Sequence, residues 1–137
     1  MNKDAYKANL DKLNLDKSQY CIIAGGVMLL WGLKETTEDI DIKVKPKYFE
    51  ELKKKFIFKK STKYPNLYEL DDMTEVKVED FDASNVTIVD SYPTESLELT
   101  LKWMLDHNRP KDQEKIKILR KFLKERQRYW LYNAFML

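Results

Sequence analysis

Glycine is almost absent from this chain: three residues in 137, Gly25, Gly26 and Gly32, all inside one eight-residue window. Only within that window can the backbone approach a ligand or take a left-handed turn at little cost. Cysteine and histidine are scarcer still, one of each (Cys21 and His107), which excludes an internal disulfide and a zinc site of the usual Cys/His kind. Any metal would therefore be held by oxygen ligands. No apolar run reaches the length of a bilayer span, and the N-terminal stretch MNKDAYKANLDKLNLDKSQY carries no apolar signal core. The sequence thus reads as cytoplasmic, with no membrane association. It also has no repeats, low-complexity tracts or linkers. With 43% hydrophobic residues, a chain of this size is expected to form one domain, residues 1–137, with a core at about 18–92 and a helical part at about 94–137.

The net charge of +2 hides a segregation: residues 43–65 carry +7, residues 66–100 carry −9, residues 101–137 carry +6 and the first 42 carry −2. Two basic stretches around an acidic one suit either a polyanion-facing surface beside an acidic centre or blocks that neutralise each other in space. The aromatic residues Tyr48, Tyr64, Trp103, Tyr129 and Trp130 within the basic stretches allow an RNA-binding reading as well.

Periodicity predicts a first helix over 4–16 and a buried strand over 20–24, stopped by a Gly25-Gly26 turn. An all-apolar helix over 27–31, closed by Gly32, follows, then a half-buried strand over 38–44 and a helix over 47–56 opened by Pro46. Short strands are expected at 56–58, 66–70, 75–79 and 86–89. Two late helices complete the pattern: one behind a Thr94 cap, broken at Asn108-Arg109-Pro110, and one running through Trp130. The apolar tail 129–137 is expected to pack on the sheet, with association as a homodimer or with a partner as the second option. The fold class is α+β: a mixed sheet with helices on it and a C-terminal helical segment.

Asp39 and Asp41 carry the chemistry. Residues i and i+2 of a strand share a face, so both carboxylates project together while Ile40 and Ile42 turn to the core. Two like charges held that close invite a hard cation, and Mg²⁺ is commonly held by one or two carboxylates plus substrate phosphates. Alone, Asp-x-Asp also fits a solvent-facing edge strand. The glycine turn before a helix adds a backbone surface on which a phosphate can lie. The spacing excludes a Walker loop and an EF-hand.

Ile23-Ala24-Gly25-Gly26, the apolar helix ending at Gly32, and Thr37-Glu38-Asp39-Ile40-Asp41-Ile42 together resemble the core motif of the polymerase beta-like nucleotidyltransferase superfamily. Within it, the chain is most similar to small bacterial abortive-infection toxin-type proteins. Lys102 followed by Arg109-Pro110-Lys111-Asp112 fits their later helical motif. The resemblance implies transfer of a nucleoside monophosphate from an NTP to an unidentified acceptor (protein, RNA or small molecule), with Mg²⁺ or Mn²⁺ as cofactor. It implies Gly25, Gly26, Thr37, Lys102 and Lys111 at the nucleotide, and Asp39, Asp41 and a later carboxylate at the metal. An antitoxin partner, meeting the apolar tail, belongs to the same implication. Two departures stand out: Glu35 occupies a position where the family commonly has Arg, with Lys34 beside it. In Thr74–Asp80 the position flanked by apolar residues is Lys77, so the third acid is displaced: Glu79 is the candidate and Glu75 the alternative. These departures also admit a catalytically silent nucleotide- or partner-binding regulator.

Overall fold

Short apolar runs between residues 20 and 95 build a seven-stranded mixed sheet in the order β3-β4-β5-β2-β1-β7-β6. The structure is a computed structural model describing residues 1–136. The strands are β1 Tyr20–Ile22, β2 Ile40–Val44, β3 Lys59–Lys60, β4 Leu67–Glu69, β5 Thr74–Val78, β6 Val86–Val89 and β7 Tyr92–Glu95. β2 with β5 and β1 with β7 are parallel; the other neighbours are antiparallel. The fold is mixed α+β, as the sequence pattern predicts. The chain divides into two compact units, Met1–Ser96 and the residues from Leu97 onward.

In the first unit, three helices bring apolar side chains to one side of the sheet. α1 (Lys3–Asp11) starts where the Asn2 side chain accepts a hydrogen bond from the Ala5 N–H, and it buries Tyr6 and Leu10. It stops five residues short of the expected end, and Asn14 takes a positive φ of 49°. α2 (Gly25–Leu30) is buried along nearly its whole length. Gly32, at φ +75°, closes it: the Gly32 N–H bonds to the Leu29 carbonyl and the Leu33 N–H to the Met28 carbonyl, a Schellman ending. α3 (Pro46–Leu52) begins on proline and stacks Phe49 against Phe58 and Tyr68, with ring centroids 4.9 and 4.6 Å apart.

That aromatic cluster explains one difference from the sequence reading. Residues 56–58 are not a strand, because Phe58 packs against Phe49 while Ile57 stands 93% exposed; the strand forms one step later, at Lys59–Lys60. Thr94 is likewise not a helix cap. It lies in β7, buried, and its hydroxyl donates to the Thr87 carbonyl of β6 at 2.7 Å.

The second unit contains α4 (Leu97–His107), a 3-10 turn at Pro110–Asp112 and α5 (Gln113–Met136), with α4 and α5 packed on each other. Asn108, at φ 46°, makes the break before Pro110. The apolar tail, expected to be covered, instead continues α5 as two further turns. Tyr129, Trp130, Leu131, Tyr132, Phe135 and Met136 stay 53–87% exposed. Leu137, the end of that expected tail, lies outside the described residues. Among the described residues no helix is long and apolar enough to cross a membrane.

Candidate functional site

β1 runs antiparallel to β2, with Ile22 opposite Ile42, so the end of β1 meets the start of β2. The Ile23 N–H donates to the Asp41 carbonyl at 3.0 Å, which ties the chain leaving β1 to the carboxylate-bearing strand. The glycine window and the Asp39/Asp41 pair therefore share one end of the sheet.

The turn between β1 and α2 differs from the expected one. Ala24, not a glycine, takes the left-handed φ of 58°, and Gly25 and Gly26 are the first two residues of α2. Their bareness serves close approach instead of turning. A Cβ on Gly26 would collide with the Tyr6 hydroxyl and with Ile22 Cγ2. This glycine lets α2 lie on the core. Gly25 faces the other way: a Cβ there would be 2.7 Å from Thr37 Oγ1 and 3.4 Å from Lys34 Nζ. Thr37 is buried, and its backbone N–H donates to the Met1 carbonyl at 2.9 Å. Gly25, Lys34 and Thr37 thus form one small polar surface just ahead of Asp39. Lys34, not the neighbouring exposed Glu35, faces the bare backbone.

The carboxylates are set by strand register. Asp41 pairs with Glu75 on β5, and Glu75 in turn pairs with Glu69 on β4, so the three stand in one row across adjacent strands. Lys59 pairs with Glu69 at the end of the row. Asp39 precedes β2 and lines a cavity of about 440 Å³ with Glu69, Asp71, Asp72, Glu75 and Lys59, over apolar Ile57, Leu70 and Met73. Neither Asp39 nor Glu75 makes an ion pair with another described residue.

Glu79, the expected third carboxylate, is not brought to Asp41. It follows β5 by one residue and lies four residues beyond Glu75, roughly 13 Å along the strand. There it pairs with Lys43 at 3.2 Å and with Lys77 at 3.6 Å. Lys77 itself is the register partner of Lys43, so it does not intrude between Asp41 and Glu75. Lys43 is buried and reaches across β1 to the buried Glu95 of β7 at 2.8 Å. Burial alone would depress the Lys43 ammonium, but hydrogen bonds and charge from Glu95 and Glu79 outweigh it and hold its pKa above the usual lysine value. Cys21, paired with Lys43, is pushed up to about 12 by burial and then by the Glu95 charge, and is therefore inert.

The other expected nucleotide contacts belong to the second unit. Lys102 is exposed and paired with Asp106 at 2.7 Å; Lys111 is exposed on the 3-10 turn. The informative residue of that motif is one the sequence reading passed over, Asp112. It is buried and accepts from Arg109 Nε at 2.6 Å.

A hard divalent cation fits the donor set on β2 and β5, which offers oxygen ligands of one charge sign. Among the described residues no three His, Cys, Asp or Glu side chains are gathered into a ready-made site. A cation there would complete its shell with water and substrate phosphates, the usual manner for Mg²⁺.

No family model and no curated protein matches the sequence. Solved structures do. One is a candidate nucleotidyltransferase from Thermotoga maritima, 22% identical, at a TM-score of 0.58 over 91% of this chain and 96% of that one. Another is ANT(2″)-Ia in complex with adenylyl-2″-tobramycin, 15% identical, at a TM-score of 0.52 over 96% of this chain and 92% of that one. The fold is a nucleotidyltransferase fold. Both similarities extend over nearly the whole of each chain.

Proposed function

We propose that this protein transfers a nucleoside monophosphate from an NTP to an acceptor hydroxyl. The observation that carries the reading is the Asp41–Glu75 register, beside Gly25 and Thr37, in a nucleotidyltransferase fold. In the reaction the acceptor oxygen forms a bond to the α-phosphorus, the bond from that phosphorus to the bridging oxygen breaks, and pyrophosphate leaves with the electron pair. Asp39, Asp41 and Glu75 would hold Mg²⁺ or Mn²⁺. That ion, when bound, lowers the acceptor hydroxyl's pKa and offsets charge on phosphate oxygens. Glu75, between two other carboxylates, is the residue we assign to receive the hydroxyl proton. The bare face of Gly25 and the Thr37 hydroxyl receive the phosphate chain. The alternative of a catalytically silent regulator draws on Lys77 and Glu35; of these, Lys77 pairs in register with Lys43 and not with Asp41.

The test is incubation with α-labelled NTPs, Mg²⁺ or Mn²⁺, and an acceptor panel of RNA, protein extract and an aminoglycoside such as the tobramycin scaffold found with ANT(2″)-Ia. Labelled product is expected, with Asp41→Asn and Glu75→Gln each reducing it on the order of 10²-fold or more, and Glu79→Gln leaving it near wild type. Loss in Glu79→Gln with activity retained in Glu75→Gln would overturn the assignment of the third carboxylate. Absence of product with every nucleotide and acceptor would count against the transfer itself.

A further inference from the structure

The basic stretch 43–65 suits either a surface that faces a polyanion or a block neutralised by acids around it, and the structure separates the two. Of its nine lysines, two form ion pairs among the described residues: Lys43 inside the sheet with Glu79 and Glu95, and Lys53 with Glu50 at 2.9 Å. From Leu52 to Asn66 the chain has six lysines, Lys53, Lys54, Lys55, Lys59, Lys60 and Lys63, and no acid; all six are exposed. All but Lys53 make no ion pair among the described residues. Successive members are never more than four positions apart, at most roughly 14 Å of chain, so they act as one positive field.

The fold sets this field on an edge. Lys53–Lys55 turn the chain out of α3, β3 is the outermost strand of the sheet, and Lys63 follows in the β3–β4 turn, where its N–H donates to the Ser61 hydroxyl at 3.1 Å. Strand alternation sends Lys59 and Lys60 to opposite faces, so the charge wraps round the edge. Lys59 turns to Glu69 and the acid-lined cavity. Lysine on an edge strand also keeps other strands from pairing there. That accounts for Lys59 and Lys60, which lie on the strand, and not for Lys54, Lys55 and Lys63, which lie off it.

Uncharged side chains within the field select the kind of polyanion. Ile57 is 93% exposed, and Tyr64, next to Lys63, is 45% exposed. Unpaired bases have flat faces that such side chains can cover, whereas a duplex hides its bases. An anionic membrane is a plane, which a wrapped edge meets on one side alone.

We propose that this edge of the first unit binds single-stranded nucleic acid, with Lys54, Lys55, Lys60 and Lys63 on its phosphates and Tyr64 against a base. The proposal stands on charge and exposure and holds independently of nucleotidyl transfer.

Fluorescence anisotropy of the full chain with a labelled oligouridine RNA about 16 nucleotides long, and with its oligothymidine DNA counterpart, tests this without turnover. Wild type should bind at least one strand with a Kd in the micromolar range, and log K should fall against log salt with a slope of about −3, from four phosphate contacts at about 0.7 each. Lys54→Gln/Lys55→Gln/Lys60→Gln/Lys63→Gln should weaken binding about a hundredfold or more at about 50 mM salt, and Tyr64→Ala about tenfold. Lys117→Gln/Arg120→Gln/Lys121→Gln/Lys124→Gln, which removes equal charge from α5, should stay within about threefold. Every lysine and arginine replaced is exposed, so neither variant threatens the fold. Equal weakening by both would show that net charge holds the strand and would overturn the assignment to this edge. Wild type that binds neither oligonucleotide would overturn the proposal altogether, and binding of phosphatidylserine vesicles in that case would assign the edge to a membrane surface.

Discussion

Glu75 lies between Asp41 and Glu69 in adjacent strands, and that arrangement has a measurable cost in the absence of a cation. Neighbouring strands are about 4.8 Å apart, so each carboxylate pair at about 5 Å repels by roughly 0.8 kcal/mol at the dielectric of water. Two such pairs give about 1.5 kcal/mol, and Lys59 beside Glu69 offsets part of it, leaving about 1 kcal/mol. Glu75→Gln should therefore stabilise the protein by about 1 kcal/mol at low ionic strength, even as it should remove the proposed transfer activity. Urea unfolding followed by circular dichroism measures the difference. It should shrink at about 1 M salt, where the screening length falls to roughly 3 Å. It should also shrink, or reverse, in millimolar Mg²⁺, because wild type then gains a ligand that the variant holds poorly. A Glu75→Gln protein that is less stable than wild type in metal-free, low-salt buffer would refute the reasoning, since the carboxylate would then be making a favourable contact.

Gly26→Ala should destabilise by about 1–3 kcal/mol through overpacking against Tyr6 and Ile22. The Tyr6 hydroxyl is buried without a hydrogen-bond partner among the described residues, so Tyr6→Phe should leave urea stability unchanged or raised, and a large loss would contradict this geometry. Lys43→Met should cost about 3–5 kcal/mol by leaving Glu95 buried without its cation, and Lys43→Met/Glu95→Leu should recover much of that loss in the same assay. Burial would raise the Asp112 pKa, but Arg109 and Lys115 outweigh it and hold it below the usual carboxylate value. Its stabilisation is therefore complete above the unfolded pKa and lost as pH falls through the folded one; Asp112→Asn should flatten an acid melt followed by helical ellipticity below about pH 4. The six exposed apolar side chains ending α5, several of them aromatic groups worth roughly 150–250 Å² each, approach the roughly 800 Å² per partner of a stable interface. Sedimentation velocity should show concentration-dependent self-association that Trp130→Glu/Phe135→Glu removes; a wild-type monomer at all concentrations would argue otherwise.

The glycine window and the strand that carries Asp41 were legible in the sequence because each is a local signal, residue type plus a period of two, although β2 begins at Ile40 and leaves Asp39 just ahead of it. What was not legible depended on pairing. Glu75 and Glu79 are equivalent by alternation, and only the start of β5 level with the start of β2 separates them. Lys34 and Glu35 are equally close to the motif in sequence, and the fold alone turns Lys34 to Gly25. Ala24 hid its left-handed turn behind two glycines that invite the assignment. β7 was missed because Tyr92-Pro93-Thr94-Glu95 contains a proline and reads as a helix start, yet tertiary pairing with β1 and β6 makes it a strand.

The parallel match of β2 with β5 also bears on how errors in folding are rejected. A slip of one residue would turn every side chain of the moving strand to the opposite face. Glu75 and Lys77 would then meet the side of the sheet where Ile40, Ile42 and Val44 are buried, and Val76 would be left in solvent. Burying those charges costs several kcal/mol each. The acid row that a catalyst would need is thus also a checksum on assembly: a chain that pairs β2 and β5 wrongly is too unstable to persist, so molecules that survive carry Asp41 beside Glu75.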